Sequence, residues 1–229
     1  MVAARRRFLD AGHFAPIADN ASRFAMEFVR SRSAGASCLI VDAGCGEGTY
    51  LAAIAERLSA ERLRVALAGI DISKWAIQAA SKRTSSCFWA VGTNRHLPFA
   101  PGSVDLICSM FGFPVWDAFA GLQQAGGRVL LVDPGPDHLI ELREIIYPSV
   151  LRSQPGSLAA AALAGYRLDW EERQQFQFQL DEPALIADLL SMTPHNHRAP
   201  LAGRQALAAL NSLMVSADVV FRCLSRTDG

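Results

Sequence analysis

The sequence lacks a charge excess of either sign. Its 22 lysines and arginines balance its 22 aspartates and glutamates, so the formal net charge at pH 7 is zero. Proteins that grip polyanions usually carry a basic excess, and this balance argues against a large polyanionic partner. One local basic run, Arg5-Arg6-Arg7, predicts either a basic patch or the solvated face of an N-terminal helix.

Paired cysteines and long apolar runs are missing too. The five cysteines are scattered, and none forms a C-x-x-C pair: Cys38, Cys45, Cys87, Cys108 and Cys223. Several lie in or beside apolar runs, where cysteine acts as a small hydrophobe. We therefore expect reduced thiols, a cytoplasmic location and no metal site. The sequence shows no signal peptide and no run long enough to cross a bilayer, which predicts no membrane association.

What the sequence does have is a regular alternation of short apolar runs and helical patterns. Strands are predicted at SCLIVDAG, LRVALAGIDIS, SCFWAVGT, VDLICSMFG and GRVLLVDPG, with helices such as GTYLAAIAERLSA and KWAIQAASKR between them. FQFQL and SADVVFRCLS predict two later strands, and PALIADLLSM predicts a helix. This order predicts an α/β, Rossmann-like fold: a mostly parallel seven-stranded sheet with helices on both faces and a helical cover.

A glycine-rich turn, DAGCGEG, joins the first strand to the first of these helices. Its pattern D-x-G-x-G-x-G comprises Asp42, Gly44, Gly46 and Gly48. Missing side chains let a ligand approach the backbone closely, although packing of strand on helix explains glycines as well. The next strand ends in Asp71, a carboxylate able to accept both ribose hydroxyls of an adenosine. NAD and S-adenosylmethionine both fit this pattern.

The segment GTNRHLPFAPGSVDLI favours the second ligand. A polar loop, then L-P-F, a turn and an apolar strand headed by V-D resembles class I S-adenosylmethionine-dependent methyltransferases over residues 36–136. The resemblance implies S-adenosylmethionine as cofactor, Asn94 beside its adenine, and Ile72, Leu97 and Pro98 as pocket walls.

A narrower resemblance lies outside that core. RRRFLDAGHFAPI, VDPGPDHLIELREIIYP and MTPHNHRA resemble segments of the 23S ribosomal RNA guanine-N1 methyltransferases. The resemblance implies that His13 and Phe14 line the cofactor pocket, and that Gly44, Gly46, Asp71 and Asn94 contact the cofactor.

The sequence also departs from that family. The four-cysteine zinc module expected before RRRFLDAGHF is absent, and His195 and His197 stand where aromatic residues are usual. The chain is similar to free-standing relatives that methylate indole C3 in tryptophan-containing cyclodipeptides, giving a pyrroloindoline. We therefore expect a small aromatic substrate. The alternatives are a ribosomal RNA substrate, held on a basic face of Arg5, Arg6, Arg7 and Arg143, and a cofactor-binding protein without catalysis.

Both acceptors must lose a ring proton, and a neutral imidazole is suited to accept it. The candidate catalytic residues are His13, His195 and His197. Candidate acceptor contacts are His138 and Tyr147, with Phe111, Phe113 and Trp116 as a stacking wall, although aromatic residues at this spacing are more often core residues. The apolar tail ALAALNSLMVSADVVF predicts either a homodimer contact or burial in its own core.

These assignments predict one methyltransferase domain over residues 1–229. Residues 1–35 would form a helical lid, 36–136 the cofactor-binding core, 137–200 a substrate cover that is helical near 137–170, and 201–229 a final helix and strand.

Overall fold

A computed structural model describes residues 1–32, 37–150, 152 and 155–227. Within them the helices are α1 Val2–Asp10, α2 Ala15–Ser31, α3 Thr49–Ala60, α4 Lys74–Arg83, α5 Trp116–Leu122, α6 Ile140–Ile146, α7 Ala159–Leu163, α8 Pro183–Met192, α9 His195–Arg198 and α10 Leu201–Ala208. The strands are β1 Leu39–Ala43, β2 Ala66–Asp71, β3 Phe88–Val91, β4 Leu106–Met110, β5 Arg128–Pro134, β6 Tyr166–Leu180 and β7 Leu213–Arg226.

The seven strands form one sheet in the order β3-β2-β1-β4-β5-β7-β6. The neighbours among β1 to β5 pair in parallel, as burial of nearly continuous apolar strands predicts. Arg226 at the end of β7 exchanges backbone hydrogen bonds with Gly126 and Gly127 just before β5, so β7 runs antiparallel to β5. The predicted mostly parallel seven-stranded α/β fold is confirmed.

This strand order places the topological switch point between β1 and β4. Chain connections leave the two strands in opposite directions there, and ligands of open α/β sheets bind outside the carboxyl ends of such strands. The glycine-rich turn follows β1, and the segment Phe111–Val115 follows β4. The fold therefore brings these two loops to the edge where a ligand is expected.

By its contacts the chain divides into two compact units. The first comprises residues 1–15, 134–155 and 173–220, and the second comprises residues 16–133, 156–172 and 221–229. We call them the helical unit and the sheet unit. Strands β6 and β7 each contribute residues to both.

The sheet unit is built around a core of strand and helix side chains that face one another. Val41, Ile70, Ile107 and Val129 of the parallel strands are buried there, together with Phe119 of α5. Burial of such apolar side chains contributes roughly 1.5–3 kcal/mol each. The strands that position the glycine-rich turn are thus rigidly supported.

The helical unit has a separate apolar interior. Helix α1 packs against α8, and α6 packs against α10. At the second contact Gly203 is required, because a Cβ there would collide with the backbone of Ile146. Phe8 of α1 is fully buried, and its ring meets those of Phe14 and Phe178 edge-on.

Several predicted bounds differ from the observed ones. The helical cover expected near 137–170 is reduced to α6 and the short α7, because residues 166–170 belong to strand β6. That strand is three times longer than the predicted FQFQL. Residues 33–36, 151, 153, 154, 228 and 229, on which parts of the predicted segments fall, lie outside the described residues.

Candidate functional site

The glycine-rich turn of the sheet unit leaves space beside its backbone. Gly44 and Gly46 have left-handed φ angles of 88° and 56°. A Cβ added at Gly44 would meet only the side-chain nitrogen of Asn94, at 3.7 Å. Gly48 differs, because a Cβ there would strike the ring of Trp89. The first glycine thus faces open space, while the last permits packing of the turn on β3.

Asp71, at the end of β2, holds this turn in place. Its Oδ2 accepts a hydrogen bond from the backbone N–H of Gly46 (2.9 Å), and its Oδ1 accepts one from Ser73 N–H (2.7 Å). Carboxylate oxygens have about four lone-pair sites in total, so both oxygens can still accept further bonds. Asp71 therefore shapes the turn and remains able to bind a sugar diol.

Asn94 joins the turn to the loop after β4. Its amide nitrogen donates to the carbonyl oxygens of Phe113 (3.2 Å) and, at the limit of bonding distance, Ala43 (3.5 Å). The exposed apolar side chains of this unit include Phe113 at 87% exposure and Ile72 at 78%. Large apolar side chains so exposed beside a polar turn are typical of a ligand site.

The residues present fit S-adenosylmethionine. The open space at Gly44 lets the ligand approach the backbone of the turn closely. Asp71 offers oxygen atoms that can accept hydrogen bonds from two ribose hydroxyls. Ile72 and Phe113 offer exposed apolar surface for an adenine ring. The other predicted pocket residues differ in exposure: Asp42 is buried at the end of β1, Leu97 belongs to the core, and Pro98 is exposed.

The predicted stacking wall is reduced by the structure. Trp116 is only 8% exposed and packs against Phe119 and Tyr166, which favours its alternative assignment as a core residue. Phe111 is half-buried with a left-handed φ of 56°, and its ring lies 6.1 Å from that of Tyr50. Phe111 and Phe113 remain the candidates for stacking.

His13 and Phe14 belong to the helical unit. The His13 ring stacks on Phe178, with ring centroids 5.1 Å apart, and lies 5.2 Å from Phe8. Burial among these rings lowers the pKa of His13, and its Nε2 makes no hydrogen bond within the described part of the chain. The imidazole is therefore held neutral in an aromatic cluster.

His138 precedes α6 and is fixed by strand β7. The backbone N–H of Asp218 donates to His138 Nδ1 at 3.3 Å, so the proton of the neutral ring resides on Nε2. Burial is the largest cause that lowers the pKa of His138, to about 4. A ring with such a pKa is neutral at physiological pH.

Tyr147 and His195 are brought together from opposite ends of the substrate-cover segment. The Tyr147 hydroxyl lies 3.0 Å from His195 Nδ1, and the two rings meet edge-on with centroids 5.6 Å apart. His195 begins the short helix α9, and His197 on the same helix is exposed. The two predicted histidines thus have different surroundings.

The arginines expected to form a basic face for an RNA substrate have different surroundings. Arg143 is buried, and its Nη1 donates to the carbonyl oxygens of Pro136 (3.2 Å) and His138 (3.3 Å). Arg7 forms a two-bond ion pair with the buried carboxylate of Asp188. Arg6 lies 3.5 Å from Asp10. Arg143 is therefore withdrawn from a basic surface, whereas the Arg6 and Arg7 side chains are 49% and 63% exposed despite their ion pairs.

Sequence reasoning missed the ion pair between Asp218 and Arg173. Asp218 is fully buried in β7, and its two oxygens accept from Arg173 Nε and Nη2, both at 2.8 Å. Oδ2 also accepts from Asp137 N–H at 2.8 Å. An aspartate inside the apolar run SADVVF is the signal that could have indicated a buried partner.

The cysteines and other metal-binding side chains contribute no site in the described ranges. All five cysteines are free and buried. Burial raises the pKa of Cys45 and Cys87, the latter to about 11, which makes both thiols unreactive. Residues 1–32, 37–150, 152 and 155–227 contain no cluster of three metal-ligating side chains, and no helix there is long and apolar enough to cross a membrane.

Comparisons with known proteins agree with the geometry of the sheet unit. A methyltransferase-domain family model matches residues 40–130. Structural neighbours include the YcgJ protein of Bacillus subtilis, with a TM-score of 0.55, 18% identity, and coverage of 90% of this chain and all of that one. A geranyl diphosphate methyltransferase solved with S-adenosylmethionine has a TM-score of 0.52 at 15% identity, covering 90% of this chain and 85% of its own. At these identities the likeness shows the fold.

Two curated relatives are closer in sequence. A putative 23S rRNA (guanine-N1)-methyltransferase of Bacillus subtilis, YxjB, is 31% identical over 219 residues, covering 94% of this chain and 76% of the relative. The 23S rRNA (guanine(748)-N1)-methyltransferase of Streptomyces fradiae is 32% identical over 206 residues, covering 87% and 70%. The chain is therefore a class I S-adenosylmethionine-dependent methyltransferase and belongs to the family of the 23S rRNA guanine-N1 methyltransferases.

Proposed function

We propose that this enzyme methylates a planar bicyclic heteroaromatic ring that carries a ring N–H, and that guanine N1 of an RNA is the leading candidate. The similarity to two guanine-N1 methyltransferases along 94% and 87% of the chain carries this proposal. The similarity extends beyond the cofactor-binding core, into the regions that are expected to bind the acceptor.

Residue roles follow from the two units taken separately. In the sheet unit we assign Gly44, Gly46, Asp71 and Asn94 to the cofactor, which supplies an electrophilic methyl group on a sulfonium when bound. Phe111 and Phe113 are assigned to stacking of the acceptor or the adenine ring. Well-oriented binding of two reactants contributes roughly 7–11 kcal/mol to catalysis.

In the helical unit we assign proton acceptance to a histidine. Both candidate acceptors lose a ring proton, and an imidazole held neutral by its surroundings is suited to take it. His195 is favoured over the exposed His197, since burial, Arg143 and Arg198 lower its pKa. His13 is surrounded by phenylalanine rings, and we assign it with Phe14 to the walls of the cofactor pocket.

A second candidate acceptor is indole C3 of a tryptophan-containing cyclodipeptide, which would give a pyrroloindoline. Charge favours it: the chain has no net charge, Arg143 is buried, and Arg7 is paired with Asp188. An RNA hairpin is held by several exposed cations, each releasing counterions, whereas a neutral cyclodipeptide needs none.

One experiment separates these acceptors. The full-length protein is incubated with labelled S-adenosylmethionine and either transcribed 23S RNA hairpins or a panel of cyclic dipeptides with and without tryptophan, and products are identified by mass spectrometry. Methylation of guanine N1 that weakens steeply as salt rises supports the RNA acceptor. Turnover only of tryptophan-containing dipeptides supports indole. Cofactor binding by calorimetry without turnover of either panel overturns the proposal and favours a non-catalytic cofactor-binding protein.

A further inference from the structure

One hydrogen-bonded pair in the helical unit joins a phenol to an imidazole. Tyr147 directly follows the last residue of α6, and His195 is the first residue of α9. The 3.0 Å distance between the hydroxyl and Nδ1 is that of a hydrogen bond, and both side chains are half-buried. The pair is 48 residues apart in sequence, so tertiary packing alone brings it together.

Burial and nearby cations favour the neutral form of the His195 imidazole. Arg143 lies one turn before Tyr147 on α6, and Arg198 lies at the end of α9. Burial and these two cations lower the pKa of His195. His138, which also interacts with His195, is neutral, and Asp188 of α8, the helix that packs against α9, is paired with Arg7. In the tautomer that carries its proton on Nε2, a neutral His195 presents a lone pair at Nδ1 to the Tyr147 hydroxyl.

A hydroxyl in this arrangement can pass a proton in one direction. Its hydrogen is already directed at Nδ1, and its oxygen retains lone pairs that can accept a second proton. The histidine is the final acceptor because it is the neutral base, but its Nδ1 is occupied by the tyrosine. The atom left to meet an acceptor's N–H is therefore the phenol oxygen.

We propose that Tyr147 takes the ring proton of the acceptor and simultaneously passes its own proton to Nδ1 of His195. This inference rests on the proposed function, and it deepens it by naming the atom that touches the acceptor. The acceptor ring supplies the electron pair for the new bond to the methyl carbon, and the electron pair of the broken C–S bond stays on sulfur. The N–H pair stays with the ring, and the positive charge of the sulfonium ends on the His195 imidazolium.

The test compares Tyr147→Phe with a matched control, Tyr166→Phe. Tyr166 is a buried tyrosine of the sheet unit whose hydroxyl donates to Gln123 Oε1 at 2.7 Å, so the control removes a hydroxyl of purely structural function. With whichever acceptor the wild type methylates, kcat of Tyr147→Phe should fall about 100-fold or more while KM changes little. The control should keep wild-type kcat.

A third variant separates proton acceptance from hydrogen bonding. His195→Asn keeps a polar group near the position of Nδ1 but has no group that can be protonated, and it should lose as much activity as Tyr147→Phe. The wild-type rate should fall as pH drops through the pKa of His195, below its ordinary value of about 6.5. In both variants the rate should no longer fall as pH drops through this range.

A measurement on the protein without cofactor or acceptor gives an independent readout. In 15N-histidine-labelled protein the NMR signals of His195 should report protonation at Nε2, and Tyr147→Phe should raise its pKa by removing the bond that favours the neutral ring. Wild-type turnover together with unchanged kcat and pH profile in Tyr147→Phe overturns the relay alone. Absence of wild-type turnover with both acceptor panels overturns the proposed function and the relay with it.

Discussion

Gly44 and Gly48 lie four residues apart in one turn but have different roles. Gly44 faces open space next to Asn94, whereas Gly48 makes room for Trp89. The spacing of the glycines could be read from the sequence. Which of them faces a ligand could not, because that depends on the ring that β3 places behind the turn.

A pair of alanine substitutions should separate these roles. Both residues have left-handed φ angles, so each substitution carries a strain of about 1 kcal/mol. Gly48→Ala should cost more, about 2–4 kcal/mol in the free energy of unfolding, because its methyl group overlaps a buried ring. Gly44→Ala should mainly weaken S-adenosylmethionine binding. Urea denaturation and calorimetry measure the two effects, and equal loss of stability in both variants would contradict the distinction.

Tyr147 and His195 show the limit of sequence reasoning at the residue scale. In the segment MTPHNHRA, His195 and His197 are equivalent candidates for the catalytic base. Tyr147 is predicted separately as an acceptor contact. Nothing local reveals that the tyrosine bonds one histidine and that the other is exposed. Trp116 shows the same limit, since an aromatic residue after β4 can point to the ligand edge or into the core, and only tertiary packing decides between the two.

Strand β6 is the element that the sequence described least well. Its first ten residues, YRLDWEERQQ, are rich in charge and have no clean apolar alternation, and the helical cover predicted near 137–170 extends into them. The strand forms because its charges meet partners on β7: Glu171 bonds Arg222 at 2.7 Å, and Arg173 bonds Asp218. These cross-strand pairs are more than 40 residues apart and leave no local pattern.

A substitution at Asp218 tests whether these cross-strand pairs stabilise the protein. Asp218→Asn removes the charge that Arg173 and Asp137 N–H stabilise. Arg173 is partly exposed and regains water, so the expected loss in unfolding free energy is about 1–3 kcal/mol, below that of a fully buried pair. Asp181→Asn, at an exposed position just after β6, should be neutral. Urea denaturation checks both, and an unchanged Asp218→Asn midpoint would refute a stabilising role.

At the scale of the whole molecule, the alternation of strands and helices was enough to predict the fold. Five apolar runs became β1 to β5, and α4 and α8 begin and end at the predicted residues. A repeated local pattern survives tertiary packing because each βαβ unit buries its own strand. No such local pattern predicts that β7 lies next to β5 and that β6 lies at the edge of the sheet.

The pH dependence of stability is also a property of the whole chain. The pKa values of His13, His138 and His195 are lowered, chiefly by burial, and that of His138 to about 4. The unfolded chain then binds more protons than the folded one below pH 6.5, so stability is full above that pH and falls as pH decreases towards 4.

Each of these histidines should contribute at most about 1.4 kcal/mol per pH unit in that window, and less where the ring is partly solvated. Urea denaturation at pH 7.5, 6.5, 5.5 and 4.5 measures the trend. The slope should be shallower in His138→Gln, because that variant has one fewer group to protonate. Equal stability at pH 7.5 and 4.5 would show that these rings titrate normally.

Because β6 and β7 each thread through both compact units, neither unit is a continuous stretch of chain. Residues 1–15 belong to the helical unit and residues 221–229 to the sheet unit, so trimming from a terminus removes part of one unit first and parts of both only when it goes further. Fragment expression cannot isolate the half that carries the glycine-rich turn, and ribosomal synthesis must release β7 before either half has its full set of strands. A functional split of this protein would have to be made by permuting the order of its segments, not by cutting it in two.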